Sequence, residues 1–233
     1  MREIVLDTET TGLSPKEGHR IVEIGCVELI NHLPTGNVYH QYINPQRSMP
    51  TGAFEIHGLS EEFLSDKPIF ADIAQAFQDF IADTKLIIHN APFDIGFLNH
   101  EFSAVKEAPL PMDRVHDTLV MAQNKHSGSQ NSLDALCRRY NIDNSGRTKH
   151  GALLDAELLA EVYLELIGGA QPHLTLVEKE KTSGPQIQIK AKAKARPKKL
   201  DQRLTSDEIK NHQAFIEELG PDAVWHQFYQ RNT

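Results

Sequence analysis

Asp7 and Glu9 stand two residues apart in an apolar stretch, Glu3-Ile4-Val5-Leu6-Asp7-Thr8-Glu9. If that stretch is a strand, its alternation puts both carboxylates on one face of a sheet. Adjacent carboxylates repel, and burying them costs free energy unless a cation neutralises them. All-oxygen donors suit Mg²⁺ or Mn²⁺. Taken alone, the pair also fits an acid at a strand end that caps the turn through Thr10, Thr11 and Gly12. Asp155 shares a helical stripe with Leu159, Val162 and Leu166, and no Lys or Arg lies within helical reach on that stripe. A bound metal is one source of the compensating charge; the helix dipole acting on a first-turn acid is the other.

Asp94 follows His89-Asn90-Ala91-Pro92-Phe93 and enters its helix near the first turn. Helix starts favour acids for dipole reasons, and the C-terminal end of a sheet strand is also where open α/β folds gather ligands. His150 precedes Asp155 by five residues, off its helical face, so it belongs to the loop before the helix. There its near-neutral pKa suits a base for an attacking water, or it is simply a solvated loop side chain.

These residues need a frame. Residues 3–9, 20–29 and 38–43 read as three consecutive strands separated by loops with Gly12, Pro15 and Gly18, then Pro34 and Gly36. That is the pattern of an antiparallel meander. Helix and strand then alternate: a helix over 70–81, a strand at 85–88, a helix over 93–105, a strand around 115–119, and helices over 132–140 and 152–167. Gly168-Gly169 stops the last helix. The expected fold class is α/β, a mixed sheet flanked by helices.

The chain has 233 residues, enough for one catalytic domain and an appendage. No apolar run approaches the roughly 20 residues that span a bilayer, and no secretory pattern opens the sequence, so the expectation is a cytoplasmic protein with no membrane partner. Cys26 and Cys137 are the only cysteines and sit in apolar sequence, as reduced core thiols do. The net charge of −8 is segregated: −11 over residues 1–177, +6 over 178–203 and −3 over 204–233. An acidic body repels a phosphate backbone, so a nucleic-acid substrate requires metal ions or a partner to supply the attraction.

Three ordered motifs carry a resemblance. Asp7-Thr8-Glu9-Thr10-Thr11-Gly12, His89-Asn90-Ala91-Pro92-Phe93-Asp94 and His150-Gly151-Ala152-Leu153-Leu154-Asp155 resemble the exonuclease motifs of the histidine-containing branch of the DEDD superfamily. The resemblance covers residues 1 to about 170 and implies a ribonuclease H-like fold. Phe54-Glu55-Ile56-His57-Gly58 and the run from Asn131 to Cys137, followed by Tyr140 to Asn144, are similar to the epsilon (proofreading) subunits of bacterial DNA polymerase III. That family implies 3′→5′ removal of mispaired nucleotides as 5′-monophosphates. It implies that Asp7, Glu9 and Asp155 hold one divalent ion, that Asp7 and Asp94 contribute to a second, and that His150 takes a proton from water. It also implies that His57 contacts the 3′-terminal nucleotide, with the backbone near Gly52 assisting. Gly52 lies where related sequences often carry an acid, which puts a side-chain role there in doubt.

Beyond the body, residues 171–204 read as a flexible basic linker, with KAKAKARPKK at 190–199. Gln171-Pro172-His173-Leu174-Thr175-Leu176 fits a sliding-clamp peptide anchored by Gln171, Leu174 and Leu176, and fits ordinary linker equally. Thr205 and Glu208 form a capping-box spacing ahead of a helix, and residues 205–233, with Trp225, resemble the family's segment that docks on the polymerase (alpha) subunit. Two other readings share these residues: an RNA-trimming exonuclease of the same superfamily, and a catalytically silent polymerase scaffold.

Overall fold

A computed structural model describes residues 1–147, 149–169, 204–220 and 225. Contacts divide the chain into two units, Met1–Val177 and Glu178–Thr233. In the first unit, β1 (Arg2–Thr10), β2 (Ile21–Ile30) and β3 (Leu33–Tyr42) form the antiparallel part of the sheet. They are followed by α1 (Thr51–His57), α2 (Glu61–Leu64), α3 (Phe70–Ile81), β4 (Lys85–Ile88), α4 (Ala91–Ala104), β5 (Val115–Asp117), α5 (Thr118–Lys125), α6 (Leu133–Tyr140) and α7 (Ala152–Leu166). The sheet order is β3-β2-β1-β4-β5, with β4 parallel to β1 and β5 parallel to β4. Three antiparallel strands followed by parallel ones is the expected arrangement.

β1 lies at the centre of the sheet and alternates between two buried faces. Ile4 and Leu6 pack with Phe70, Phe77, Phe97 and Phe102 of α3 and α4. Val5 packs on the opposite face with Ala156, Leu159 and Tyr163 of α7. By the same alternation, Asp7 and Glu9 continue the α7 face toward the end of the strand.

The structure departs from the sequence reading in several places. The stretch with Pro34 and Gly36 is not a loop; β3 begins at Leu33, and the hairpin turns at Asn31 and His32, whose φ values are 52° and 69°. Pro34 is tolerated because β3 is an edge strand, and a register shift between Val27 and Leu29 absorbs the irregularity. The strand expected to run to residue 119 ends at Asp117, whose side chain accepts a hydrogen bond from Leu119 N–H and caps α5, a helix the apolar pattern did not reveal. α1 and α2 were also unanticipated. Cys26 and Cys137 are free and buried, as expected.

α7 ends in a glycine cap: Gly169 N–H donates to Leu164 O at 2.8 Å, with φ of 118° and 78° at Gly168 and Gly169. In the second unit, α8 (Ser206–Glu218) opens with a capping box. Thr205 Oγ1 accepts from Glu208 N–H at 3.3 Å, and Glu208 Oε2 accepts from Thr205 N–H at 2.8 Å. Trp225 is half exposed, with its ring 5.8 Å from that of His212. Gln171, Leu174 and Leu176 lie outside the described residues, as does nearly all of the linker.

Candidate active site

The site grows from the C-terminal end of β1. Asp7 is paired in register with Gly25 of β2. A Cβ at Gly25 would lie 2.2 Å from the Ala152 carbonyl carbon and 2.2 Å from Leu153 N. Glycine is therefore the residue that lets the first turn of α7 rest on the sheet beside Asp7, and Asp155 sits in that turn, 3% exposed. Glu9 is paired with Glu23, itself buried and hydrogen-bonded to His40 Nε2 at 2.7 Å.

Asp94 arrives from the other side of the sheet. It occupies the first turn of α4, 3% exposed, and its Oδ1 accepts from Thr8 N–H at 3.1 Å and Thr8 Oγ1–H at 2.7 Å. The turn that launches α4 bends at Asn90, a non-glycine residue with φ 65° and ψ 50°. Asp117 braces that bend: Oδ1 accepts from Asn90 N–H at 3.1 Å, Oδ2 from Ala91 N–H at 3.1 Å. Motif reading did not single out Asp117, although an acid at the end of one strand beside the start of a helix was a visible signal.

Asp7, Glu9, Asp94, His150 and Asp155 all line one cavity of about 580 Å³. Ligand atoms of Glu9, His150 and Asp155 lie within 4.8 Å of one another. His150 sits in the loop before α7, as expected. Its backbone N–H donates to Ile56 O at 3.2 Å, and its side chain is 48% exposed at the cavity mouth.

Asp155 has a partner that helical periodicity could not reveal. Arg147, from the loop preceding His150, donates from Nε to Oδ1 at 2.5 Å and from Nη2 to Oδ2 at 2.6 Å. Its Nη1 donates to Asp134 Oδ1 at 2.9 Å and its Nη2 to His150 Nδ1 at 2.8 Å, and the side chain is 7% exposed. The expected scarcity of cations around Asp155 holds for its helix and is corrected by this loop.

The acids respond differently to burial. Desolvation, then repulsion from Asp94, Glu9 and Asp155, holds the Asp7 carboxyl well above the usual range. Desolvation, with repulsion from Asp155 and Glu23, pushes Glu9 up to about 8. Desolvation pushes Asp94 up to about 7 against the pull of its Thr8 hydrogen bonds. Burial also opposes charge on Asp155, but the hydrogen bonds and charge of Arg147, foremost among the opposing causes, hold that carboxyl below its ordinary value. The donor set of carboxylates and one imidazole fits a hard divalent cation, which would offset the desolvation and repulsion that raise Asp7 and Glu9.

A second cavity of about 520 Å³ shares Thr8, Glu9 and Phe93 with the first and is lined further by Gly52 and His57. His57 is 5% exposed; Nδ1 accepts from Leu59 N–H at 3.0 Å, while Nε2 has no hydrogen-bond partner. Burial holds its pKa below the ordinary histidine value. A Cβ at Gly52 would meet nothing within 4 Å, so the position has room for a side chain it does not carry.

Comparison with known proteins agrees with this architecture. A family model described as "Exonuclease" matches residues 4–163. A DNA polymerase III subunit epsilon of Rickettsia felis is 51% identical over 222 residues, covering 94% of this chain and 97% of the relative. Exonuclease X, solved in complex with 5′ overhanging duplex DNA, matches with a TM-score of 0.57 and 25% identity over 71% of this chain and 90% of that one. The nuclease domain of 3′hExo, a DEDDh family member bound to rAMP, shares the fold, with a TM-score of 0.62 and 19% identity over 71% of this chain and 91% of that one. The mixed sheet is thus the ribonuclease H-like exonuclease fold, and the chain belongs to the exonuclease family of the DEDD superfamily, among the DNA polymerase III epsilon subunits.

Proposed function

We propose that Asp7, Glu9, Asp94, Asp155 and His150 form the hydrolytic centre through which this 3′→5′ proofreading exonuclease removes mispaired nucleotides from a DNA 3′ end as 5′-monophosphates. The observation that carries the reading is the convergence of four carboxylates from β1, α4 and α7 on one cavity, with three of them pushed toward their protonated forms. Burying acids this way destabilises a fold held only by its own contacts, and a bound cation offsets the desolvation.

Divalent metal ions are the general cofactors of the superfamily. The finer assignment is that two ions, Mg²⁺ or Mn²⁺, bind here, one on Asp7, Glu9 and Asp155 and one on Asp7 and Asp94. When bound, such ions supply Lewis-acid stabilisation to charge developing on a phosphate. The remaining work falls to the chain. Asp94, fixed by Thr8, and Asp155, seated over Gly25, hold the donor set in place. His150, at the mouth, accepts a proton from the attacking water. The 3′-terminal nucleotide occupies the cavity lined by His57 and Gly52, with Phe93 as an apolar wall.

The catalytic domain spans 1–170, the linker 171–204 and the docking segment 205–233. An acidic body holds DNA weakly, so tethering matters. Residues 205–233, with Trp225, dock on the polymerase subunit, and the linker raises the local concentration of nuclease at the primer terminus in the cytoplasmic replisome. Gln171, Leu174 and Leu176 are the candidate anchors for the sliding clamp.

The test is nucleotide release from a 3′-labelled mispaired DNA primer and from a matched RNA strand, with Mg²⁺ or Mn²⁺ and with chelator. Metal-dependent monophosphate release favouring the mispaired DNA end supports the proposal. Preference for RNA points to the trimming enzyme, and silence in every condition to the scaffold.

A further inference from the structure

We propose that Arg147 is the resident counter-cation of the acid cluster, that it competes with the divalent ion for Asp155, and that ion binding hands its guanidinium to Asp134. This rests on Asp155 being a metal ligand, as assigned above.

The geometry carries the argument. The guanidinium fork covers both oxygens of Asp155, at 2.5 and 2.6 Å. Bidentate, charge-assisted contact of this kind is the strongest hydrogen bonding the side chain offers. An ion that takes one Asp155 oxygen within the Glu9–His150–Asp155 group competes with the arm of the fork that lies on that oxygen. A receiver is already in place. Nη1 donates to Asp134 Oδ1 at 2.9 Å, and the Asp134 side chain is 43% exposed, so it can follow the arginine. Space is available too: a cavity of about 340 Å³ on that side is lined by Asp134, Arg147, His150 and residues of α1.

The same arm reaches His150. A guanidinium donates and never accepts, so the 2.8 Å contact from Nη2 requires Nδ1 to present its lone pair, with the imidazole proton on Nε2. The alternative donation from Nδ1–H to Asp155 Oδ2 spans 3.4 Å and is the weaker fit. While Arg147 stays in place, neither imidazole nitrogen is free to take a proton from water. Displacing one side chain therefore frees both a carboxylate and a base, and Arg147 acts as a positioning residue whose exchange for an ion arms the site.

The experiment is Mn²⁺ binding by calorimetry to the full-length chain and its variants, with thermal melting in chelator as a second readout. Arg147→Gln is expected to bind Mn²⁺ at least about tenfold tighter and to melt lower without the ion, because a buried cluster has lost its counter-charge. Arg147→Lys keeps the charge but loses the fork, so its affinity falls between the two. It also carries the comparison if Arg147→Gln does not fold. Asp134→Asn keeps an acceptor oxygen but removes the receiver's charge, and is expected to bind several-fold weaker than wild type. Equal or weaker affinity in Arg147→Gln, Arg147→Lys indistinguishable from wild type, or Asp134→Asn unchanged overturns the inference. Asp7→Ala separates the two levels: if wild-type Mn²⁺ binding survives that substitution, the metal assignment itself fails, whatever the arginine does.

Discussion

Glu9→Gln removes one titrating group from a buried cluster while keeping the shape of the side chain, and its consequence for stability follows from the titration of Glu9. The folded value is about 8 against an ordinary 4.5, the main cause being desolvation. A raised folded value means that the native state binds the proton more tightly than the unfolded chain. The associated stability is therefore fully present below about pH 4.5 and is lost as pH rises through 8. At about 1.4 kcal/mol per pH unit, wild-type protein in chelator should lose about 3–4 kcal/mol relative to Glu9→Gln between pH 5 and pH 8. Urea unfolding of both proteins at pH 5, 6, 7 and 8 in EDTA reads this difference, together with the smaller change in Asp7, whose carboxyl Glu9 helps to raise. Saturating Mg²⁺ or Mn²⁺ should abolish the wild-type loss, because a bound cation favours the ionised carboxylate. A wild-type-to-variant gap that stays constant across the range in EDTA would refute the reasoning, since Glu9 would then be ionised in the folded, metal-free protein.

Three further outcomes follow. Gly25→Ala should cost about 1–3 kcal/mol in chemical denaturation and lower kcat, because the new methyl meets the backbone of α7 at Ala152 and Leu153 and moves Asp155 off the sheet; wild-type kcat would remove Gly25 from the account. Asp117→Ala should cost about 1–3 kcal/mol and reduce kcat with KM little changed, because the Asn90 bend that aims Asp94 loses its acceptors; Asp117→Asn, which keeps one oxygen, should recover part of both. Ending the chain after Gly169 should preserve nuclease activity on single strands and abolish co-purification with the polymerase subunit, and retained co-purification would place the docking surface in the body.

The residues of the proposed hydrolytic centre were legible because their types and spacing are local facts. Asp7 and Glu9 share a face by strand alternation, and His150 falls off the helical face of Asp155 by simple rotation; the structure has both features. The mixed character of the sheet was legible for the same reason, since hairpin-linked strands precede alternating strand and helix. What sequence could not show is contact between distant segments. Arg147 lies eight residues before Asp155, off its helix, and meets it only because the loop doubles back. Asp117 matters because β5 ends beside the start of α4, and Gly25 because α7 crosses β2 there. The start of β3 was misplaced because Pro34 and Gly36 signal a turn, and only the edge position of the strand with its register shift lets them stay in the ladder. α1 escaped notice because a seven-residue helix carries too few turns to display a period.

The most direct test of the central claim is the rate of 3′-nucleotide release from a mispaired primer by wild type and by Asp7→Ala, each with Mg²⁺ and with EDTA, at matched folded concentration checked by circular dichroism. Wild type is expected to release nucleotide in Mg²⁺ and not in EDTA, and folded Asp7→Ala in neither, because the substitution takes away a carboxylate on which Glu9, Asp94 and Asp155 all act. Release by folded Asp7→Ala at the wild-type rate would contradict it and move the hydrolytic centre away from β1.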